Sequence, residues 1–259
     1  MKELLHAAQT IARQAGTCIV ASLGDLHRID YKGRVDLVTD VDRRVEKLIL
    51  DRLRHDFPGH GVLAEESGTG PGAGDFRWVI DPIDGTTNFV HGYPFFAVSI
   101  AVQHQEETVA GVVYNPLADE LFSALKGEGA FLNGRKIRVS ATPELSSSLL
   151  ATGFPYRIGD HWHQAMDLFK LFYYRTRGVR RDGSAALDLC YVAAGRFDGF
   201  WEYDLHPWDV AAGMLIVAEA GGKCSDFQGK PSAIDDGQIL ASNDHIHRQM
   251  LQILRLLPD

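Results

Sequence analysis

The chain has 259 residues, 45% of them apolar and 23% charged, a balance that supports one large domain or two closely packed halves with a sizeable core. A formal charge of −8 excludes a protein that is basic overall and binds nucleic acid by charge alone. No apolar run reaches the roughly 18 residues of a membrane span, and the opening MKELLHAAQTIARQAG lacks the continuous apolar core of a secretory signal, so a cytoplasmic protein is expected.

Apolar residues at Leu4, Leu5, Ala8, Ile11, Ala15, Ile19 and Leu23 repeat at helical spacing and predict a helix over residues 3–23. A polar stretch with Gly24 and Gly33 follows. Thr39 and Asp42 form a Thr-x-x-Asp cap for a second helix, which continues through Val45, Leu48, Ile49 and Leu53 and stops at Phe57-Pro58-Gly59. G-V-L-A-E-E-S starts as a short strand and ends in acid. The glycine-rich stretch 68–75 reads as a mobile loop. R-W-V-I-D-P-I is a strand that runs into I-D-P-I-D-G-T-T-N-F, residues 80–89. F-F-A-V-S-I-A-V and T-V-A-G-V-V-Y form a hairpin pattern across Q-H-Q-E-E. E-L-F-S-A-L-K and A-F-L-N-G-R-K-I continue the sheet, with Asn133-Gly134 as a tight turn.

Past residue 143 the texture changes. L-L-A-T-G-F-P reads as a strand and 160–175 as a helix. G-V-R-R-D-G leads to the helix S-A-A-L-D-L-C-Y-V-A-A, closed by Gly195. D-G-F-W-E-Y is a strand, and a helix starts just after Pro207 and ends at Gly221-Gly222. K-C-S-D-F and Q-I-L-A-S are short strands, and a helix from about His245 ends the chain. Two halves result. Residues 1–143 are two helices plus an antiparallel sheet, and residues 144–259 alternate strand and helix, packed together as one body.

Acids gather at the ends of these elements: Asp36, Asp42, Glu65, Glu66, Asp81, Asp84, Glu202 and Asp209. Asp81, Asp84, Glu65 and Asp209 abut strongly apolar sequence, where a carboxylate is costly to bury unless paired or bound to a cation. Carboxylates converging on one point select a hard divalent ion, in a cytoplasm Mg²⁺. Pro82 removes one N–H, so the chain can turn both aspartates and the Ile83 carbonyl toward one pocket. Gly85 permits close backbone approach to a ligand, and Thr86 and Thr87 offer donors at a helix start suited to an anion. The plain alternative for Asp84-Gly85 is an Asx-type turn. For Asp209 it is an acid favoured by its helix dipole.

Other residues carry plainer readings. Cys18, Cys190 and Cys224 are widely spaced and set in apolar sequence, as reduced, buried thiols. Arg175, Arg177, Arg180 and Arg181 read as a solvated surface turn, or as a patch attracting phosphate or RNA. His91 and His206 read as structural, and Phe200, Trp201 and Trp208 as core.

Taken together, A-E-E-S (64–67), W-V-I-D-P-I-D-G-T-T-N-F (78–89) and W-D-V-A-A-G (208–213) resemble the inositol monophosphatase family. Segments resembling the family run along nearly the whole chain, including V-D-L-V-T-D-V-D, G-E-G-A-F-L-N-G-R-K-I-R-V-S, T-G-F-P-Y and R-R-D-G-S-A-A-L-D-L. The resemblance implies a layered αβαβα sandwich with the site between the halves, commonly as a homodimer. It implies a lithium-sensitive phosphomonoesterase using two Mg²⁺ ions, or three, on a small phosphorylated polyol. By that resemblance Glu65 would bind the first metal and polarise the attacking water. Asp81 would bridge two metals, the Ile83 carbonyl would complete the first shell, and Asp84 and Asp209 would hold the second. The Gly85 and Thr86 amides would cradle the phosphate beside Asp84, and Thr86, oriented by Asp42, would assist Glu65. Gly183, Ser184 and Ala185 would line the sugar side, where Glu202 and Asp209 would meet ring hydroxyls. Asp182 stands where many bacterial relatives carry Thr, as an added acid near the pocket or a surface charge.

Members of this family hydrolyse inositol 1-phosphate, fructose 1,6-bisphosphate, histidinol phosphate, 3′-phosphoadenosine 5′-phosphate or NADP. The D-G-T-T-N-F form and Glu202 resemble the inositol branch, and Thr87 stands where nucleotide-directed relatives tend to carry Lys. Some bacterial members also act in ribosomal RNA transcription complexes through protein partners. The acidic charge argues against direct RNA binding by this chain.

Overall fold

The computed structural model describes residues 1–24, 29–31, 37–70, 72 and 74–256; Gly33 and Asp36 lie outside them. The chain begins with α1 (Lys2–Val20), β1 (Ile29–Tyr31), β2 (Leu37–Thr39) and α2 (Asp40–Asp56). Then come β3 (Gly61–Ala64), β4 (Gly68–Gly70), β5 (Phe76–Asp84) and α3 (Thr86–Val90). The strands β6 (Ala97–His104), β7 (Glu107–Asn115), β8 (Glu120–Leu125), β9 (Gly129–Leu132) and β10 (Arg135–Lys136) follow. The second half holds β11 (Leu149–Thr152), α4 (Asp160–Tyr173), β12 (Gly178–Arg180), α5 (Ala185–Ala193) and β13 (Gly199–Tyr203). It ends with α6 (Pro207–Glu219), β14 (Lys223–Ser225), β15 (Gln238–Ser242) and α7 (His247–Leu254).

Two mixed sheets organise the body. The larger has eight strands in the order β10-β9-β8-β7-β6-β5-β3-β4, antiparallel except for the β3–β5 pair. The smaller has five, in the order β12-β11-β13-β15-β14, with β11 parallel to both neighbours. One core packs α1 and α2 against the large sheet through Ile11, Ile19, Val45, Ile49 and Trp78. A second lies between the sheets and contains α5 and α6, with Leu187, Leu189, Phe200 and Ile216. A third, around Phe172, Trp201 and Met250, seals the small sheet under α4 and α7. The layers therefore run helix, sheet, helix, sheet, helix, the predicted αβαβα sandwich. No helix among the described residues is long and apolar enough to cross a membrane.

Local chemistry explains the boundaries. Thr39 caps α2 by accepting from the Val41 and Asp42 amides, and Asp42 returns the bond to Thr39 N–H at 2.8 Å, a complete capping box. The β6–β7 hairpin is tighter than the five-residue connection read from sequence, because pairing continues to His104↔Glu107. Asn133-Gly134 turns with φ of 49° and 76°, both positive as a type I′ turn requires. The glycine-rich stretch expected as a loop contributes β4, whose residues 68–70 pair back onto β3. The strand read at L-L-A-T is β11, whereas the three-residue strands β1, β2 and β12 are too short to announce themselves by periodicity.

Candidate active site

β5 runs through the middle of the large sheet and ends in the two aspartates. In a regular strand, residues three apart point to opposite faces. Here Asp81 pairs with Ser99 but Asp84 pairs with Ala97, so β5 carries one extra residue between them. This bulge at Pro82-Ile83 shifts the phase by one and turns both carboxylates to the same side. Pro82 suits a bulge because it has no ladder N–H to lose. The Ile83 N–H donates instead to Asp81 Oδ1 at 2.9 Å.

The chain then makes a left-handed step at Gly85, φ 97°. A Cβ there would lie 3.0 Å from the Phe95 carbonyl oxygen and 3.1 Å from that of Gly183, so only glycine fits the close approach. Thr86 opens α3, and its hydroxyl lies 2.9 Å from Asp42 Oδ1 and 3.1 Å from the Ile83 carbonyl. Asp42 is fully buried beneath it and does not line the cleft.

Asp84 ties the halves together. Its Oδ2 accepts from the Ser184 hydroxyl at 2.6 Å and the Ala186 amide at 2.7 Å, at the start of α5. Asp209 sits in the first turn of α6, where Oδ2 accepts the His206 amide at 2.7 Å. The dipole-favourable placement read from sequence and a position on the cleft therefore coexist in one residue. Glu65 follows β3, its amide donating to the Ile80 carbonyl at 3.2 Å. Its carboxyl is hydrogen-bonded to that of Asp81. Glu202 stands at the end of β13 over Gly153, where a Cβ would come within 2.2 Å of the carboxylate, so Gly153 is the floor that admits it.

These elements enclose a cleft of about 200 Å³ between the halves. It is lined by Glu65, Asp81, Ile83, Asp84, Gly85 and Thr86 from the first half and by Gly183, Ser184, Ala185, Glu202 and Asp209 from the second. Every residue singled out from sequence for the site is thus on the cleft, except Asp42, which stands directly behind Thr86. Burial pushes the Asp81 carboxyl well above its ordinary range, and the charges of Glu65, Asp84 and Asp209 add to the rise. Asp209 is raised well above its range by burial and then by Asp84. Burial raises Asp84 to about 6, against the opposing bonds from Ser184 and Ala186. Glu202 reaches about 8 by burial, against the pull of Arg181. Asp42 is raised by burial although four hydrogen bonds oppose it.

Mutually destabilised carboxylates beside a backbone carbonyl are the donor set of a hard divalent cation. Among the described residues, no three acidic, histidine or cysteine side chains close a cage around one point by themselves. An open set completed by the Ile83 carbonyl fits Mg²⁺, which keeps several waters and shares phosphate oxygens.

Several cleft features escaped the sequence reading. Arg181, grouped with the surface arginines, lines the cleft, and its Nη1 would lie 2.5 Å from a Cβ on Gly183. Trp208, expected in the core, also lines the cleft, with its ring 4.8 Å from that of His206. Asn88 sends its amide nitrogen to the Phe95 carbonyl at 2.7 Å and the Asp182 carbonyl at 2.8 Å, fixing the turn before Gly183 to α3. Asp182 does not line the cleft; burial raises its carboxyl despite Arg180 and a hydrogen bond from Tyr93. Asp188, one turn into α5, is buried with Oδ1 unpartnered and its carboxyl held well above the usual range by burial and by Glu202. Of the three free thiols, Cys190 is fully buried, and Cys18 and Cys224 are half-buried.

A two-sheet α/β sandwich with an acidic cleft at the seam of its halves defines a class of metal-assisted phosphatases. The sequence model of the inositol monophosphatase family matches residues 1–257, and the chain belongs to that family. The relative named "Nus factor SuhB" from Pseudomonas aeruginosa is 44% identical over 262 residues, covering 98% of this chain and 97% of its own length. An "Inositol-1-monophosphatase" from Mesorhizobium japonicum is 42% identical over 255 residues, covering 97% and 96%. The crystal structure of the extragenic suppressor protein suhB from Bartonella henselae superposes with a TM-score of 0.94 at 43% identity, covering 98% of each chain.

Proposed function

We propose that this phosphatase-family chain hydrolyses inositol monophosphate to inositol and phosphate, using Mg²⁺ held by Glu65, Asp81, Asp84, Asp209 and the Ile83 carbonyl. The observation that carries the reading is the bulge in β5, which turns Asp81 and Asp84 together into a cleft already holding Glu65 and Asp209. Bound there, the metal supplies Lewis acidity, lowering the pKa of a coordinated water and neutralising charge on the phosphoryl oxygens. Glu65 and Thr86 orient the attacking water. Thr86 keeps lone pairs for it by donating its own proton to Asp42. The Gly85 and Thr86 amides hold the phosphoryl group, so attack on phosphorus is in line with the departing ester oxygen. On the sugar side Glu202 faces the ring hydroxyls with Gly183, Ser184 and Ala185 beside it. The reaction needs no covalent phosphoenzyme.

The test is phosphate release with Mg²⁺ from inositol 1-phosphate, fructose 1,6-bisphosphate, histidinol phosphate, 3′-phosphoadenosine 5′-phosphate and NADP, with EDTA and lithium as controls. Lithium-sensitive release that is strongest from inositol 1-phosphate supports the assignment. Comparable rates on fructose bisphosphate make the chain a broader sugar phosphatase. No release from any substrate removes the catalytic reading. A second reading rests on the 44% identical relative named as a Nus factor: a regulatory protein of transcription complexes, working through protein partners in the cytoplasm. A homodimer is part of the proposal, with sedimentation as its measurement.

A further inference from the structure

We propose that Glu46 is a positioning residue for Glu65, holding the turn that presents it to the cleft; the inference rests on the phosphatase reading above. Glu46 lies on α2, four residues after Asp42, so both carboxylates project from the same face of the helix. That face is otherwise apolar, with Val41, Val45 and Ile49 buried beside them. Glu46 itself is only 3% exposed. A carboxylate at such a position is costly, and an apolar side chain of similar volume would pack there at least as stably. Its Oε2 accepts a backbone hydrogen bond, from the Glu66 N–H at 2.8 Å.

That bond matters for the residue before it. β3 ends at Ala64, opposite Ile80, and β4 returns with Gly68 opposite Ala64. Glu65, Glu66 and Ser67 form the turn between them. The Glu65 amide is anchored to the Ile80 carbonyl of β5, and the next amide is anchored to Glu46 of α2. The peptides on both sides of the Glu65 Cα are therefore fixed, one by the sheet and one by the helix. Together they set the direction in which its side chain leaves the backbone, toward Asp81. α2 thus steadies two separate parts of the site. Asp42 holds Thr86, and Glu46 holds the turn that carries Glu65.

The test uses two substitutions in the full chain. Glu46→Asp keeps the charge but is one methylene too short to reach the amide. Glu46→Gln keeps an acceptor at the original length. Mg²⁺ alone is titrated by calorimetry, Mg²⁺ activation of phosphate release from inositol 1-phosphate is followed in parallel, and amide exchange is measured over 64–68. Glu46→Asp is expected to weaken Mg²⁺ binding and activation about 10- to 100-fold, as loss of an outer partner of a metal ligand does. Amide exchange in the turn should quicken, with cooperative melting retained. Glu46→Gln should recover most of the loss. If Glu46→Asp matches the parent protein in Mg²⁺ binding and in exchange, the positioning role is wrong. If Glu46→Gln falls with Glu46→Asp, the charge and not the hydrogen bond is what counts, and the proposal fails equally. A parent protein that neither binds Mg²⁺ nor releases phosphate overturns the underlying phosphatase reading, an outcome visible before any variant is made.

Discussion

Glu202 makes the protein's stability depend on pH in a way that one substitution isolates. Its carboxyl ionises at about 8 in the folded chain, chiefly because burial against Gly153 penalises the charged form. In the unfolded chain it ionises near the ordinary value of 4.5. The folded state therefore binds the proton more tightly. The associated stability is fully present below pH 4.5 and is lost as pH rises through about 8. Between pH 5.5 and 8 the loss is about 3 kcal/mol at roughly 1.4 kcal/mol per pH interval. Discounting for the side of the carboxylate that opens to the cleft brings it to about 2 kcal/mol. Glu202→Gln has nearly the same shape and cannot ionise. Urea denaturation of the metal-free protein at pH 5.5 and 8.5 should show the parent chain losing about 2 kcal/mol more than Glu202→Gln over that interval. Comparing the two slopes cancels the contributions of Asp81, Asp84 and Asp209, which titrate in both. Parallel losses would refute the argument and mean that the carboxylate is solvated through the cleft.

Two further perturbations test the site by other means. Asp84→Asn should retain cooperative unfolding, since an amide oxygen still accepts from Ser184 and Ala186, yet lose Mg²⁺-dependent turnover by about 100-fold or more; an unchanged rate would remove Asp84 from the metal set. Asn88→Ala should free the Asp182–Gly183 turn and raise KM for inositol 1-phosphate about tenfold, with a smaller effect on kcat. An unaltered KM would show that the turn holds itself.

The parts of the site that could be read from sequence are those written in a few consecutive residues. Asp81, Ile83, Asp84, Gly85 and Thr86 share one strand end and one turn, so their residue types alone pointed to the proposed cation set and phosphate cradle. The bulge that brings the two aspartates to one face was not legible, because it is defined by pairing with β6. Asn88 gave no signal because its partner carbonyl lies 94 residues away. Glu46 looked like any acid on an amphipathic helix, and only the return of β4 onto β3 shows what it holds. Trp208 was read as core from its hydrophobicity, whereas its place in the first turn of α6 puts the ring beside His206 at the cleft.

The arginines show the same division most sharply and separate the two proposed functions. In sequence, R-T-R-G-V-R-R is a single basic cluster. In the fold, Arg175 is exposed just past α4, with Nη1 on the Leu171 carbonyl at 2.9 Å, and Arg177 is exposed before β12. The exposed Tyr173 and Tyr174 precede them in the chain, and neither arginine lines the cleft. Arg181 lies on the cleft and draws the Glu202 and Asp84 carboxyls downward against burial. Arg181→Gln should therefore raise KM about tenfold through the sugar side of the site. The pair Arg175→Gln with Arg177→Gln should leave kcat and KM for inositol 1-phosphate within about twofold, because surface charges outside a site contribute little to it. A rise in KM from the outer pair matching that from Arg181→Gln would refute the division. If the outer pair instead keeps turnover and loses binding to a protein partner, the regulatory role and the phosphatase occupy different surfaces of one chain. Each could then be removed without the other.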